Sequence, residues 1–382
     1  MMGRCSQGGE SLRTVIALMV LGFGVAACQA PPAPPAEEPV TERLEAPARD
    51  TDGVLRVLVL HDMEGLSGQD DPRTFDFDHK DRYAEGRENL VGDVNSVIAG
   101  LFAGGASEVH VVDGHGSGNP EPDLLLDRLY SRAQMVYRDE PFRQYVDLVE
   151  PGVYDAVAVV GMHAKTGSHG FASHTFTLGI EILLNDRAIT ETELVAFSFG
   201  RAGVPVIFAS GDDRLAADLE TMPWIEFVTT KKATSGSTAE LRPQEEVRAE
   251  LEAAAQRAIE KRGDSKVMKI DGPIRATIRA VPPASLQVLE GVPGVDYEDE
   301  SVTFVAKDFQ EAYDGLIELI GVATTNYSRL LVENLRSSPE GAKFLSEYND
   351  DLVGRWLDFE SGRWTPPAPE PPPEGQRYHG AR

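Results

Sequence analysis

Hydrophobic positions along the chain follow two alternating periods. Short apolar runs, typical of buried strands, occur at 54–60, 108–112, 155–160, 204–209, 274–280 and 301–306. Segments with apolar residues three or four positions apart, typical of helices, occupy 83–103, 191–201, 214–220, 245–261 and 308–322. Strands that alternate with helices predict an α/β fold with a mostly parallel central sheet and flanking helices. The later strands and helix predict a smaller α+β portion towards the C-terminus.

The N-terminal residues are typical of a bacterial export signal. Two arginines precede an apolar run at 15–25, which is too short to span a bilayer. The run ends in Val-Ala-Ala-Cys, which resembles a lipobox and implies cleavage before Cys28 and lipidation of its thiol. A glutamine follows Cys28 in place of an aspartate retention signal, so we expect a lipid anchor in the outer membrane, facing the periplasm. An ordinary secretory signal cut at this point is the alternative.

Both ends of the chain have compositions that cannot form a core. Residues 31–50 are rich in Pro, Ala and Glu, and residues 366–373 consist of these three residue types. Such segments bury too little apolar surface to fold. We therefore predict a signal peptide at 1–27, a tether at 28–52, a globular domain at 53–325, a helical extension at 326–364 and a disordered tail at 365–382.

Charge and cysteine content exclude several classes of partner and ligand. The formal net charge of the chain is −26, which repels phosphate backbones and anionic headgroups. We therefore expect no nucleic-acid partner, and membrane contact only through the lipid anchor. The two cysteines are Cys5, in the signal peptide, and Cys28. Any metal site in the mature chain must then use His, Asp and Glu side chains.

Three of the apolar runs end in residue types that bind metals. The first run leads into Asp62 and Glu64. The second leads into His115, and the third into His163. Ligands of open α/β sheets bind outside the carboxyl ends of the strands, so these side chains are expected to meet in one crevice. Residues two apart on an extended chain point to the same side, which applies to the two carboxylates.

Each of these side chains also has a structural alternative. The aspartate could cap a turn, and either histidine could be hydrogen-bonded in a loop. The coincidence of three strand ends favours the metal site. Glycines 65, 114 and 161 stand beside the candidate ligands, and we expect them to let the backbone turn sharply.

A fifth ligand is expected at the start of the helix near residue 190. Thr190 and Glu193 fit a capping box, in which each residue satisfies a backbone N–H of the other. Glu191 is not needed for that cap and is therefore free to bind a metal. Its alternative is a solvated carboxylate in the first turn, stabilised by the helix dipole.

The types of donor atom limit which metal ions can bind at this site. Two imidazoles and three carboxylates suit zinc, manganese or iron better than magnesium or calcium. Three carboxylates neutralise most of the charge of two divalent ions, and Asp62 is the expected bridging ligand. A two-metal site activates water and polarises the attacked carbonyl.

The order of motifs along the chain resembles one known family. The segments that match are Asp62–Gly68, Asp113–His115, Gly161–Ala164, Ser173 with His174, Asn185–Arg187 with Glu191, Gly211–Arg214 and Ala306–Asp308. They are similar to the D-x-E-G-I-S-G, D-S-H, G-Y-H-A, S-H, N-D-R-P-x-G-E, G-D-D-R and A-K-D motifs of the DppA-type zinc D-aminopeptidases, peptidase family M55. The resemblance spans roughly residues 54–325.

This resemblance implies a zinc metallopeptidase that acts on short peptides with D-amino acids at the N-terminus. It also implies two zinc ions per subunit and a ring-shaped homo-oligomer. A further active-site histidine of the family matches His174, which we interpret as a catalytic acid–base or oxyanion-stabilising group. A histidine hydrogen-bonded in a loop is the alternative. The zinc ligands carry over onto Asp62, Glu64, His115, His163 and Glu191.

The chain departs from the family at several points. His61 stands where the family has a small or apolar residue, and we expect its side chain to point away from Asp62 or to support the ligands. Asp212 is expected to cap a helix, and support of the ligands or binding of a substrate amine is the alternative. The segment 231–237 is not a close match, although we expect it near the cleft.

Two other functions remain possible on the sequence alone. One is a metal-dependent amidase or carboxypeptidase acting on cell-wall peptides, and the other is a non-catalytic peptide-binding lipoprotein. A serine or cysteine nucleophile is not indicated, because the chain has no G-x-S-x-G motif and the mature chain has no unmodified thiol. A dinucleotide site is not indicated either, because no G-x-G-x-x-G motif follows the first strand.

Overall fold

The structure of the chain is a computed structural model. It describes residues 42–45, 53–119, 121–136, 143, 145–323, 325–363 and 365. The expected signal peptide, Cys28, and most of the tether and the proline-rich tail lie outside the described residues. The lipid anchor therefore stays a prediction.

A seven-stranded sheet forms the centre of the fold, in the order β10-β9-β8-β5-β2-β3-β4. All neighbours in it pair in parallel except the β9–β10 hairpin. The predicted α/β class is thus confirmed, and the carboxyl ends of the parallel strands share one edge. The strands are β2 (Arg56–His61), β3 (Glu108–Asp113), β4 (Gln134–Met135), β5 (Ala156–Met162), β8 (Val206–Asp212), β9 (Glu226–Ser235) and β10 (Thr238–Leu241).

Helices cover both faces of this sheet. α1 (Lys80–Ala103) and α4 (Gln244–Glu260) pack together on one face, and α2 (Glu191–Gly200) lies on the other. Side chains of β2 alternate between the two faces, as the period of a strand requires. Valines 57 and 59 enter the core under α1 and α4, while leucines 58 and 60 enter the core under α2. Each such fully buried side chain contributes roughly 1.5–3 kcal/mol to stability.

A second, five-stranded antiparallel sheet has the order β13-β14-β12-β6-β7. Its strands are β6 (Ile180–Leu184), β7 (Arg187–Ala188), β12 (Ile274–Ala280), β13 (Asp296–Glu298) and β14 (Ser301–Ala306), and α5 (Phe309–Ala323) packs on it. Strand β6 was not expected from the sequence. The turn between β6 and β7 has Asn185 at φ 48° and Asp186 at φ 64°. These left-handed conformations are those of a tight hairpin turn, which Asn and Asp tolerate.

Part of the segment that we assign to a tether is ordered against the domain. Residues Arg43–Glu45 form β1, which pairs antiparallel with β11 (Val267–Lys269). Glu42 accepts hydrogen bonds from the Arg187 guanidinium at 3.0 and 2.8 Å. Strand pairing and an ion pair hold these residues without a hydrophobic pattern, which is why composition did not predict them.

Two further helices follow the second sheet. α6 (Thr325–Arg336) and α7 (Pro339–Glu360) pack against one another, within the segment predicted as a helical extension. α3 (Asp213–Asp218) is a short helix after β8. Among the described residues, no helix has both the length and the apolar character required to cross a bilayer.

Candidate metal centre

The five predicted ligands lie at the carboxyl edge of the central sheet. Asp62 and Glu64 follow β2, His115 follows β3, and His163 follows β5. Glu191 is the first residue of α2. All five residues are buried, with exposed fractions between 2% and 8%. The structure therefore brings them into one cluster, as expected of side chains at parallel strand ends.

Asp62 lies at the centre of this cluster. One of its carboxylate oxygens is 2.9 Å from Nδ1 of His115, and the other is 3.4 Å from Nε2 of His163. Glu64 is 3.3 Å from the same nitrogen of His115, and Glu191 is 3.6 Å from the same nitrogen of His163. Asp62 thus belongs to two groups of potential ligands, one with Glu64 and His115 and one with His163 and Glu191.

His174 stands beside the second of these groups. Its ring stacks on His163, with the centroids 4.0 Å apart and the planes at 13°. Its Nε2 is 3.9 Å from a Glu191 oxygen, and its side chain is 17% exposed, more than the predicted ligands. His174 also forms a third possible ligand group with Glu64 and His163. Geometry therefore permits either a catalytic or a ligand role.

The three imidazoles share one hydrogen-bonding arrangement. His115 directs Nε2, and His163 and His174 direct Nδ1, at backbone carbonyl oxygens 2.9, 3.0 and 2.7 Å away. A carbonyl can only accept, so each of these nitrogens is assigned the proton when the ring is neutral. The opposite nitrogen then has a lone pair facing the carboxylates, which is how metal-binding histidines are commonly oriented.

A further observation supports zinc binding by these residues. Nε2 of His163 is buried and has no hydrogen-bond partner among the described residues. A buried polar atom of this kind calls for a partner, and a metal ion is one that a lone pair can bind. Imidazole nitrogen and carboxylate oxygen are both common zinc donors. The residues present are therefore able to hold zinc.

Local structure explains why Glu191 points into the cluster. Thr190 accepts a hydrogen bond from the Glu193 N–H at 3.0 Å, and the Glu193 carboxylate accepts from the Thr190 N–H at 2.9 Å. This is the predicted capping box, and it starts α2 at Glu191. The Tyr145 hydroxyl then donates to Glu191 at 2.6 Å, and the Phe176 N–H donates to it at 2.7 Å. Because Glu191 is buried and accepts these two hydrogen bonds, it is not a solvated carboxylate.

Removing the Tyr145 hydroxyl is expected to weaken the centre. Tyr145→Phe leaves the ring in place but removes the donor that orients Glu191. Loss of a hydrogen bond to a metal ligand typically costs 10–100-fold in metal affinity or activity. We expect a fall of about tenfold in zinc affinity, measured by chelator competition. Tyr154→Phe is the matched control, because the Tyr154 hydroxyl contacts His110. Equal affinities in the two variants would contradict the prediction.

The glycines beside the ligands act in two different ways. Gly161 has a φ of +74°, the left-handed conformation that glycine adopts at little cost. Gly65 does not have a positive φ; instead, a Cβ on it would lie 1.8 Å from the Met162 carbonyl oxygen. A Cβ on Gly114 would lie 2.9 Å from a Leu60 methyl carbon. The expected sharp turn therefore holds for Gly161, while the other two glycines allow close approach.

Opposite charges in the cluster shift the pKa values of His163, His115 and Asp62. Burial lowers the pKa of His163, but the charges of Glu191, Asp62 and Glu64 outweigh burial and raise it to about 10. Burial also lowers the pKa of His115, and the two neighbouring carboxylates raise it well above its usual value. Burial raises the pKa of Asp62, but the hydrogen bond from His115 and the charges of both imidazoles outweigh burial and lower it well below its usual range. Without metal, the His163 imidazole is therefore positively charged at neutral pH.

Zinc affinity is expected to rise steeply between pH 6 and pH 8. Both imidazoles must give up a proton to bind a cation, since the surrounding carboxylates raise the pKa of each, that of His163 to about 10. For each proton released on binding, the apparent zinc affinity rises about tenfold per pH unit. The release of two protons therefore raises it by up to about a hundredfold per pH unit. Competition against a chelator of known proton affinity, at three pH values, measures this slope. A flat profile would exclude protonated imidazoles in the metal-free site.

Two other residues considered from the sequence, His61 and Asp212, have structural roles. His61 is completely buried and faces Asp113, with 3.8 Å between the nearest nitrogen and oxygen. Burial lowers its pKa to about 3, so it is neutral at pH 7. It is not a member of any ligand group among the described residues. Asp212 caps α3 by accepting from the N–H groups of Arg214 and Leu215, as predicted.

Three residues that contact the site were not found from the sequence. Tyr145 and Phe176 support Glu191, but neither lies at a predicted strand end. Lys231 in β9 contacts the segment that contains Glu64. One indication for Lys231 was present in the sequence, because this residue begins the segment 231–237, which we expected near the cleft.

Comparison with known proteins agrees with this geometry. The family model of peptidase family M55, described as D-aminopeptidase, matches residues 55–317. A D-aminopeptidase from Bacillus subtilis (strain 168) is 29% identical over 277 residues, covering 70% of this chain and 98% of the relative. The solved structure of the Zn-dependent D-aminopeptidase DppA from Bacillus subtilis, described as a self-compartmentalizing protease, superposes with a TM-score of 0.64. That match has 25% identity and covers 71% of this chain and 98% of the other.

Parallel strands that end in a buried set of imidazoles and carboxylates define a class of protein, here a zinc metallopeptidase. Within that class, the chain belongs to peptidase family M55, the D-aminopeptidase family. The resemblance read from the ordered motifs is thereby confirmed at the level of family and fold.

Proposed function

We propose that the chain is a di-zinc aminopeptidase that hydrolyses short peptides with a D-amino acid at the N-terminus. The observation that carries this proposal is the position of Asp62, which directs one oxygen towards each of two ligand groups. A carboxylate in that position can bridge two cations. The proposed ligands are Asp62, Glu64, His115, His163 and Glu191.

Zinc ions bound by these residues would polarise the scissile carbonyl and activate water at neutral pH. Asp62, Glu64 and Glu191 supply the negative charge that retains cations in a buried site. Hydrogen bonds from His115 and His163 to backbone carbonyls fix which nitrogen faces the cluster. Burial of all five residues excludes bulk water and strengthens electrostatic interactions within the site.

His174 is the proposed catalytic side chain. Its Nδ1 is directed at the Ala172 carbonyl oxygen, so in the neutral ring Nε2 can accept a proton. Because His174 is more exposed than the ligands, it can reach a substrate as a general acid–base or donate to an oxyanion. Its grouping with Glu64 and His163 supports a second role, as a metal ligand.

A single variant separates the two roles of His174. His174→Gln should retain the zinc content of the wild-type protein and lose most of its hydrolytic rate if His174 is catalytic. General acid–base groups typically contribute 10²–10⁴-fold to rate. Loss of one zinc ion, measured by elemental analysis, would instead identify His174 as a ligand.

The substrate class is tested with a matched panel of dipeptides. The zinc-loaded protein should hydrolyse D-Ala-D-Ala faster than L-Ala-L-Ala and should leave N-acetyl-D-Ala-D-Ala intact. A chelator should abolish the reaction, and added zinc should restore it. Hydrolysis of the acetylated peptide would indicate a carboxypeptidase or another amidase. Binding of intact D-Ala-D-Ala without turnover, in zinc-loaded protein, would indicate a peptide-binding lipoprotein.

The cellular setting is part of the same proposal. A lipid on Cys28 would hold the enzyme at the outer membrane, facing the periplasm, near peptidoglycan fragments that contain D-alanine. Mass spectrometry of the N-terminal peptide tests this, and Cys28→Ala should release the protein from membranes. We also propose that the chain forms a homo-oligomer, since a relative is described as self-compartmentalizing. Light scattering after size-exclusion chromatography measures its mass.

A further inference from the structure

Lys231 in β9 carries a buried amine that the proposed chemistry does not use. It is 0% exposed and is among the largest fully buried side chains described. Its ammonium group donates hydrogen bonds to the carbonyl oxygen of Glu64 and, at 2.9 Å, to that of Gln69. The same group lies 4.0 Å from the centroid of the Phe171 ring. The lysine thus joins the central sheet to both ends of the segment 64–69.

Burial of an ammonium group is costly, several kcal/mol even after relaxation, unless its surroundings compensate. The compensation here consists of two carbonyl dipoles and the face of the Phe171 ring. Burial lowers the pKa of Lys231 to about 7, and the carboxylates of Asp212 and Glu64 offset part of this effect. An apolar side chain of similar length would avoid the cost but could not donate to the two carbonyls.

The segment that contains Glu64 is held on several sides. The Gly65 N–H donates to the Gly161 carbonyl at 2.7 Å, and the Thr230 hydroxyl donates to the Gly65 carbonyl at 2.6 Å. Ser67 donates to Asp93 through both its N–H and its hydroxyl, each at 2.7 Å. The Gly65 N–H and the Glu64 carbonyl belong to one planar peptide unit, so the bond to Gly161 holds one side of that unit.

Lys231 holds the Glu64 carbonyl, on the other side of the same peptide unit. Together the two bonds restrict the rotation of the peptide plane, and with it the direction in which the Glu64 side chain leaves the backbone. The Glu64 carboxylate must stay close to Nδ1 of His115, 3.3 Å away, if the two side chains are to bind one cation. A small rotation of the backbone at Glu64 would move the carboxylate out of this position.

We propose that Lys231 is a positioning residue, which sets the Glu64 carboxylate for metal binding through its hydrogen bond to the Glu64 carbonyl. This inference rests on the proposed zinc site. Because Lys231 is fully buried, it acts through the Glu64 carbonyl and not through contact with a substrate.

The test compares Lys231→Met with Lys232→Met. Lys232 is the next residue of β9 and is exposed, so its substitution changes charge and strand composition equally. We expect Lys231→Met to weaken zinc binding by at least about tenfold, measured by chelator competition on the full chain, with no change for Lys232→Met. The kcat should fall more than KM changes, because ligand geometry and not substrate contact is altered.

A double-mutant cycle distinguishes positioning from a general effect on stability. If Lys231 acts through Glu64, Lys231→Met should have little further effect on zinc affinity in a Glu64→Ala background. Equal effects in both backgrounds would overturn the proposal, because independent sites are additive. If Lys231→Met does not fold, Lys231→Gln, whose amide can donate to one carbonyl, takes its place with the same expected coupling.

The outcome for zinc separates this inference from the proposed function. A wild-type chain that binds no zinc overturns both. A wild-type chain that binds zinc, with Lys231→Met binding it as tightly as Lys232→Met, overturns the role of Lys231 alone.

Discussion

Replacement of Asp62 by asparagine is expected to abolish peptide hydrolysis and to remove zinc from both ligand groups. The substitution keeps the shape of the side chain but removes the charge that faces both His115 and His163. Each group would then have one negative carboxylate in place of two. A metal ion contributes several kcal/mol to rate, so we expect a loss on the order of 10³-fold or more.

Asp186→Asn is the matched control for this experiment. The Asp186 side chain is 74% exposed, and its left-handed turn conformation suits asparagine equally well. Elemental analysis gives the zinc content of both variants, and hydrolysis of D-Ala-D-Ala gives the rate. An Asp62→Asn protein that retains two zinc ions and the full rate would contradict the assignment of the centre.

Replacement of Gly65 by alanine is expected to prevent stable folding of the site. The added Cβ would lie 1.8 Å from the Met162 carbonyl oxygen and 2.7 Å from the Gly161 carbonyl carbon. Both are backbone atoms, so no side-chain rotation relieves the contact. The ends of β2 and β5 would have to separate, and this would move Asp62 away from His163. We expect destabilisation of more than about 4 kcal/mol, which is exceptional for one substitution.

Gly263→Ala provides the comparison, since a Cβ there has no atom within 4 Å. It should change the free energy of unfolding by no more than about 0.5 kcal/mol. Urea denaturation of both zinc-loaded variants measures the difference. If Gly65→Ala were as stable as Gly263→Ala, close packing of the two strand ends could not be the reason for glycine at this position.

The fold and the proposed ligands could be predicted because both depend on local pattern, four ligands from strand ends and Glu191 from the capping box beside it. Apolar runs separated by helical segments specify parallel strands, and parallel strands place the residues that follow them at one edge. Asp62, Glu64, His115 and His163 each follow such a run. Family membership was predictable for a similar reason, since it rests on short motifs in a fixed order.

Other features of the site depend on residues far apart in the chain. The β6–β7 hairpin belongs to the second sheet, yet it leads into Thr190 and the start of α2. The run at 180–184 is apolar except for Glu181, but this pattern does not show that the strand joins the second sheet, beside β12. Hydrogen bonds from Tyr145 and Phe176 then direct Glu191 inwards, and both donors lie more than ten positions away from it in sequence.

The sequence by itself determined the α/β class, the strand ends that carry donors, the capping box at Thr190 and the family. Tertiary structure decided which nitrogen of each histidine faces the cluster, why Gly65 must lack a Cβ, and which carbonyl groups accept from Lys231. The physical reason is the range of the interactions. Backbone period and capping act within a few residues, whereas hydrogen bonds and steric contact in the centre join segments up to 167 positions apart.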